Sequence, residues 1–338
     1  MNSGMTLILI TLVAFAVTAL LGFVMIPFLH KLKFGQTILD IGPAWHKKKQ
    51  GTPTMGGVMF IIGITAAVVI GVSTLWLSPA AQGYLGDPRG NIKLFAGVAM
   101  ALAFGAVGFL DDYIKVVKHR NLGLTARQKY LMQLVIGVFY LVMLYIAGDR
   151  STAVAVPFLG TLELGPFYYL LAMIIITGFV NAVNLTDGLD GLSSSVTFVY
   201  AVVFLVIAGI LQFGQASVIA AALAGGTLGF LVWNFYPAKV FMGDTGSLFL
   251  GGLVVALAFQ VGMPLLLVFA GVVFWCEAFS VIIQVCYFKA THGKRLFKMS
   301  PIHHHFEMCG WSEVKIVSVF ALVGLLGGAL AVWSVLLL

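Results

Sequence analysis

Charged side chains are scarce in this 338-residue chain. Asp, Glu, Lys and Arg together make up 9% of it, where soluble domains carry roughly 25%. With 61% hydrophobic residues and a mean hydropathy of +1.06, the chain cannot cover a core with a water-compatible surface, which excludes a soluble globular protein. Cysteine is nearly absent. Cys276, Cys286 and Cys309 have no metal-type spacing and imply no disulfide framework. Short alternating strands are also missing, which argues against a transmembrane barrel. No soluble domain, low-complexity tract or convincing internal repeat interrupts the chain.

What is present is a series of apolar runs of bilayer length. Helices are the natural way to span a membrane with such runs, because they satisfy every backbone group internally. The first, "TLILITLVAFAVTALLGFVMIPFL", is too long for a signal-peptide core and lacks a basic leader and a clear cleavage site, so it reads as a retained span. The pattern predicts ten spans, over 5–29, 55–77, 92–110, 129–147, 167–185, 195–212, 216–234, 246–260, 265–288 and 314–337, with 246–260 the least distinct. The expected fold is all-α, a polytopic integral membrane protein forming one catalytic domain over 1–338.

The charges are unevenly distributed. Loop 30–54 holds Lys31, Lys33, Lys47, Lys48 and Lys49; segment 111–129 holds Lys115, Lys118, Arg120, Arg127 and Lys129. Lys239, Lys289, Lys294, Arg295, Lys298 and Lys315 complete sixteen of the nineteen basic residues, and only Arg89, Lys93 and Arg150 fall in the intervening loops. The positive-inside rule puts the basic loops in the cytoplasm and both termini outside. Setting topology and binding anionic lipid would account for the bases. They would not account for the acids: Asp40, Asp111, Asp112, Asp187, Asp190, Asp244, Glu307 and Glu313, eight of twelve, share the basic side.

Each acid-bearing island has a simpler reading beside a chemical one. Asp111 and Asp112 fall at the outgoing end of the third span, where the helix dipole disfavours acids. They are either solvated loop acids neutralised by Lys115 or adjacent carboxylates poised for metal binding or proton transfer. Asn181, Asn184, Asp187 and Asp190 recur every third residue at the end of the fifth span. Gly188 and Gly191 suit a helix stop there, but a stop needs no acids. Asp244 opens the eighth span and could simply be its N-cap. Loop 41–57 looks like a tight turn at a membrane entrance, whose lysines and amides could hold phosphate. It lacks a P-loop pattern.

The run His303, His304, His305 cannot turn three imidazoles onto one atom in either helix or strand, so a three-histidine metal site is not expected. One or two of the rings are expected to face the other islands as donors to phosphate. Glu277 lies deep in the ninth span, with Gln284 two turns on and roughly on the same side. Intramembrane acids are costly and need polar partners. Glu277 is either functional or a structural clamp.

Taken together, "GTPTMGG", "DDYIK", "NLTDGLDGL", "FMGDTGSL" and "PIHHHFEMCGW" resemble, in order and spacing, the phospho-N-acetylmuramoyl-pentapeptide transferases of the polyprenyl-phosphate N-acetylhexosamine-1-phosphate transferase superfamily. The resemblance covers essentially the whole chain. The acid motifs are shared across the superfamily, and the His run followed by Gly-Trp is more specific.

The resemblance implies ten transmembrane helices, a homodimer in the bacterial inner membrane and a cytoplasm-facing cleft. It implies transfer of phospho-MurNAc-pentapeptide from UDP-MurNAc-pentapeptide to undecaprenyl phosphate, giving lipid I and UMP, with Mg²⁺ required and no nucleic-acid partner. By the same resemblance Asp244 is the expected Mg²⁺ ligand, and Asp111 and Asp112 are expected to deprotonate or orient the lipid phosphate. Lys49, Lys115 and Lys129 are expected to hold phosphates, with Thr54 in the substrate site. Asn181, Asn184 and Asp187 would line the uridine and sugar-phosphate pocket, Phe241 would stack on uracil with Gln284 nearby, and His303 and His304 would contact phosphate or sugar. Rival classes fit less well. A proton-coupled transporter would place its acids near the midplane, and an intramembrane metalloprotease would carry an HExxH pair. A transferase of another UDP-sugar is the nearest alternative.

Overall fold

The computed structural model describes residues 1–32, 49–81, 83–117 and 123–337. Lys33, Asp40, Lys47, Lys48, Lys118 and Arg120 lie outside the described residues. Ten helices long and apolar enough to cross a membrane are present among those described. They are α1 (Ser3–Lys31), α2 (Gly57–Leu77), α3 (Pro88–Val117), α4 (Ala126–Ile146), α5 (Phe167–Thr186), α6 (Leu192–Ile210), α7 (Gly214–Asn234), α8 (Gly243–Gln260), α10 (Val272–Ala290) and α12 (Glu313–Leu336). The four-residue α9 (Leu267–Ala270) and six-residue α11 (Ile302–Glu307) complete the α-helices among the described residues.

All ten expected spans are there, and the differences lie at their ends. The third helix runs seven residues past its expected end at 110, to Val117. Asp111 and Asp112 therefore belong to its last turns and not to a loop. The ninth span is broken at Gly271, between α9 and α10. The all-α expectation also missed a small hairpin. Strands β1 (Ala153–Val156) and β2 (Gly160–Glu163) pair antiparallel, Val154 opposite Leu162. Its turn needs left-handed backbone at Phe158 and Gly160, and four-residue strands are too short for periodicity to separate from a loop.

Helix α8 is the hub. Every residue from Thr245 to Gln260 is buried, so the span least distinct in sequence is the most enclosed. Apolar side chains gain little by leaving lipid, so close backbone packing must hold such a helix. Its small residues permit that. A methyl group added at Gly57 of α2 would overlap the Gly246 backbone, and one at Gly108 of α3 would overlap the Asp244 carbonyl. By contrast, Leu20 and Phe23 on α1, Leu131 and Val135 on α4 and Ile282 on α10 are exposed and suit contact with lipid tails.

Caps set the helix starts that matter. The Thr125 hydroxyl accepts the Gln128 N–H, and the Gln128 side chain accepts the Thr125 N–H, which fixes the first turn of α4 and so the position of Lys129. The short segment at Pro53 pairs with the strand-like run before α8. Phe241 N–H donates to the Pro53 carbonyl at 2.8 Å, and Gly56 and Gly57 N–H donate to the Phe241 and Met242 carbonyls at 2.8 and 3.1 Å. Two of the sequence motifs thus form one structural unit.

Candidate active site

The end of α3 meets the start of α8. Asp111 and Asp112 are buried, 3% and 4% exposed, so they are not solvated loop acids. Asp112 Oδ1 accepts the Asp244 N–H at 3.2 Å, and its Oδ2 accepts the Thr245 N–H at 2.9 Å and the Thr245 hydroxyl at 2.7 Å. The carboxylate thus satisfies the orphan amides of α8 and sits where that helix's dipole favours negative charge. This removes the simpler reading of Asp244 as the cap: the residue at the cap position is Met242, and an acid from another helix does the work.

Asp244 faces inward instead. Its Oδ2 lies 3.0 Å from Lys115 Nζ and 2.9 Å from Lys129 Nζ, and its Oδ1 accepts from Asn184 Nδ2 at 2.8 Å. Asn184 also reaches the Ser247 hydroxyl at 2.7 Å. Asp111 pairs with Lys115 at 2.6 Å and accepts the Leu124 N–H at 2.7 Å. One oxygen each from Asp111, Asp112 and Asp244 can be chosen so that all lie within 4.8 Å of one another. Three carboxylates and two ammonium groups, contributed by α3, α4 and α8, therefore share one pocket, with Asn184 of α5 at its edge. An all-oxygen donor set of this kind suits a hard divalent cation such as Mg²⁺.

Asp187 caps the C-terminus of α5 and is half-buried. Loss of water, together with the Asp244, Asp112 and Asp190 carboxylates, pushes its pKa up to about 8. Asp190 lies in a second cluster. Lys49 Nζ is 2.6 Å from Asp190 Oδ1 and 2.6 Å from Glu313 Oε2. Asp190 Oδ2 accepts the Ala238 N–H at 2.9 Å, and Glu313 Oε2 accepts the Asp190 N–H at 3.2 Å. Burial works against the Lys49 charge, but its hydrogen bonds to Asp190 and Glu313 outweigh it and raise the pKa. The sequence groups both acids with Lys49 on one face but does not show that they hold it. The only signal was charge sign on one face.

The histidines lie on α11, where the His303 and His304 rings pack together with centroids 4.1 Å apart and His305 turns toward Phe297. His303 is buried, with Nδ1 3.0 Å from Glu277 Oε2. His304 Nδ1 is 2.7 Å from Glu307 Oε2. His305 Nδ1 accepts the Lys298 N–H at 3.1 Å, and the other side of the ring faces Cys309 Sγ at 3.8 Å. Glu277 is thus a clamp on His303.

Four other expected site residues are engaged elsewhere or sit at the edge. Gln284 Oε1 accepts the Leu296 and Phe297 N–H groups at 3.1 and 2.9 Å. Asn181 exchanges amide hydrogen bonds with Gln133 at 3.2 and 2.7 Å, one turn before Asn184. Phe241 is half-buried beside the Pro53 segment. A methyl group added at Gly243 would overlap both the Thr54 hydroxyl and the Asp112 carboxylate, so the two lie side by side there.

Ten spans and a carboxylate–lysine pocket at one end of the bundle suit transfer of a phosphorylated group at a membrane surface. Residues 94–262 match the model of glycosyl transferase family 4, and residues 49–61 match phospho-N-acetylmuramoyl-pentapeptide-transferase signature 1. The class is therefore an integral-membrane phosphoglycosyl transferase. The chain is 46% identical over 326 residues to a protein of Listeria welshimeri, and 48% identical over 326 residues to one of Listeria monocytogenes serovar 1/2a, each alignment covering 96% of both chains. It is 45% identical over 317 residues to one of Clostridium botulinum, covering 93% of this chain and 92% of the relative. All three relatives carry the name phospho-N-acetylmuramoyl-pentapeptide-transferase. The chain belongs to the phospho-N-acetylmuramoyl-pentapeptide-transferase family.

Proposed function

We propose that the chain transfers phospho-MurNAc-pentapeptide from UDP-MurNAc-pentapeptide to undecaprenyl phosphate, giving lipid I and UMP, at the cytoplasmic face of the bacterial inner membrane. The observation that carries this reading is the convergence of Asp111, Asp112 and Asp244 with Lys115 and Lys129 at the ends of membrane helices. A soluble nucleotide and a lipid phosphate can meet only at such an interface, and the phosphates of both substrates are anionic.

Asp244, with Asp111 and Asp112, would hold Mg²⁺. When bound, the cation offsets the mutual repulsion of the phosphates and stabilises charge on the transferred group. The three carboxylates exceed Lys115 and Lys129 by one negative charge, so the pocket attracts a cation and keeps two donors for phosphate oxygens. The two α3 acids divide their roles. Asp112 is committed to the amides of α8, whereas Asp111, among the described residues, accepts one backbone N–H, holds its lysine and shares a hydrogen bond with Asp244. Asp111 is the better placed of the two to take the proton or orient the lipid phosphate for attack. Asn184 fixes Asp244, and His303 and His304 contact phosphate or sugar from α11. A homodimer is part of the reading by family resemblance.

The test is UMP release by purified protein across a Mg²⁺ titration, given undecaprenyl phosphate and a panel of UDP-sugars. UDP-MurNAc-pentapeptide should be the preferred donor and release should require the metal. Preference for another UDP-N-acetylhexosamine would reassign the donor.

A further inference from the structure

Glu277 lies outside the carboxylate–lysine pocket, is 0% exposed and sits in the membrane helix α10. A buried acid at that depth is costly unless it has a task. Its Oε2 takes the Nδ1 side of His303 at 3.0 Å and lies 3.5 Å from the His303 backbone nitrogen. Two turns along the same helix, Gln284 accepts the Leu296 and Phe297 N–H groups. One face of α10 therefore pins both the loop that leads to α11 and the first histidine on it.

The opposite edge of the same ring is equally confined. A methyl group on Gly188 would overlap His303 Nε2, so the imidazole lies edge-on against the α5–α6 turn, between Asp187 and Asp190. That nitrogen is buried and has no hydrogen-bond partner among the described residues. An unpartnered buried polar atom costs free energy. A ring whose Nδ1 is held by a carboxylate has its orientation set and its Nε2 left as the working atom, as in other carboxylate–histidine pairs.

We propose that Glu277 is a positioning residue for the transfer reaction: it fixes the His303 ring so that Nε2 is delivered at the Asp187–Gly188 turn, where substrate is handled. The inference rests on the transferase reading given above. Glu277 touches no substrate and acts only through His303. Removing its charge loosens the ring, and it has no effect on an enzyme that lacks the ring.

The experiment compares Glu277→Gln in two backgrounds, wild type and His303→Ala. UMP release is read at saturating UDP-MurNAc-pentapeptide, undecaprenyl phosphate and Mg²⁺, and melting temperatures are measured alongside. Glutamine keeps the shape and buries no charge, so the fold is retained. Turnover should fall about tenfold in the wild-type background, the scale of a lost charge-assisted hydrogen bond. In the His303→Ala background it should change by less than about twofold. The same fold-loss in both backgrounds, or wild-type turnover for Glu277→Gln or for His303→Ala, overturns the proposal. A wild-type protein that releases no UMP from any UDP-sugar overturns the transferase reading instead.

Discussion

The Asp112 carboxylate on α3 accepts the backbone N–H of Asp244, the second residue of α8, at 3.2 Å, and that of Thr245 at 2.9 Å. Two acids from separate sequence motifs are thus joined end to end: one builds the helix start on which the other stands. Glycine at 108 allows the approach, because any side chain there would strike the Asp244 carbonyl.

Asp112→Asn should therefore cost stability as well as turnover. An amide offers one acceptor oxygen where three donors now find two, and it gives up the charge at the helix start, worth up to about 2 kcal/mol in partly buried sites. Asp111→Asn should lower the melting temperature less, because Asp111 holds Lys115 and one backbone N–H but caps no helix start. Both should lose at least about a hundredfold in turnover, Asp111→Asn through a missing general base, for which this is the low end, and Asp112→Asn through displacement of Asp244. Equal melting temperatures for the two variants would contradict the capping role.

Asp187 gives a pH signature. Its pKa is pushed up to about 8 from an ordinary 3.8 by loss of water and by neighbouring carboxylates. Between those values the folded protein holds a proton that the unfolded chain has released. Stability therefore falls as pH rises through that window and levels off above it. In Mg²⁺-free buffer, the melting temperature of the wild type should drop relative to Asp187→Asn between about pH 6 and pH 9. A constant offset between the two across that range would mean that Asp187 titrates normally.

Most of the architecture was legible because bilayer length and backbone satisfaction leave few options. All ten spans follow from apolar runs. What the sequence hid depends on contacts between distant segments. Helix α3 extends past the acids to Val117 because Asp111 and Asp112 have partners in Leu124, Thr245 and the Lys115 side chain; without those contacts a helix end carrying acids is unfavourable. The Lys49–Asp190–Glu313 cluster joins residues 141 and 264 positions apart, which no local pattern records. Glu277 was recognisable as a buried acid, but its partner 26 residues on became visible only in three dimensions.

The Lys49 cluster should respond unequally to substitution. Asp190 is buried at 3% exposure and accepts both the lysine and the Ala238 N–H. Glu313 is more open, with 10% of its side chain exposed. Asp190→Asn should cost about 2–3 kcal/mol and Glu313→Gln about 1 kcal/mol or less, between the ranges for buried and surface pairs. Thermal denaturation of the two variants checks the order, and a larger loss for Glu313→Gln would reverse it.

The three histidines should rank by their surroundings. His303 is buried and His304 pairs with the buried Glu307, while His305 takes a backbone N–H from Lys298 on an exposed loop. His303→Ala and His304→Ala should each lose about ten- to 150-fold in turnover or substrate affinity, the range for a charge-assisted hydrogen bond, with Mg²⁺ dependence intact. His305→Ala should lose less. Kinetics of the three variants decide this, and a His305 variant worse than the other two would move the working group to the outer ring.

Orientation in the membrane follows from where the charges sit. Among the described residues, Lys31, Lys49, Lys115, Arg127, Lys129, Lys239, Lys289, Lys294, Arg295, Lys298 and Lys315 lie toward the end of the bundle that carries the carboxylate pocket. Arg89, Lys93 and Arg150 lie toward the other, where Lys93 pairs with Asp149 at 2.7 Å. Basic residues near span ends are retained on the cytoplasmic side, and each near an anionic leaflet contributes about 1 kcal/mol. The carboxylate pocket should therefore open to the cytoplasm, and an even number of spans then leaves both termini outside. In a background with Cys276, Cys286 and Cys309 replaced by serine, Lys239→Cys and Arg295→Cys should react with a membrane-impermeant maleimide only after cells are opened. Arg150→Cys should react in intact cells. The opposite pattern would turn the whole bundle over and would leave the nucleotide substrate on the wrong side of the membrane from its site.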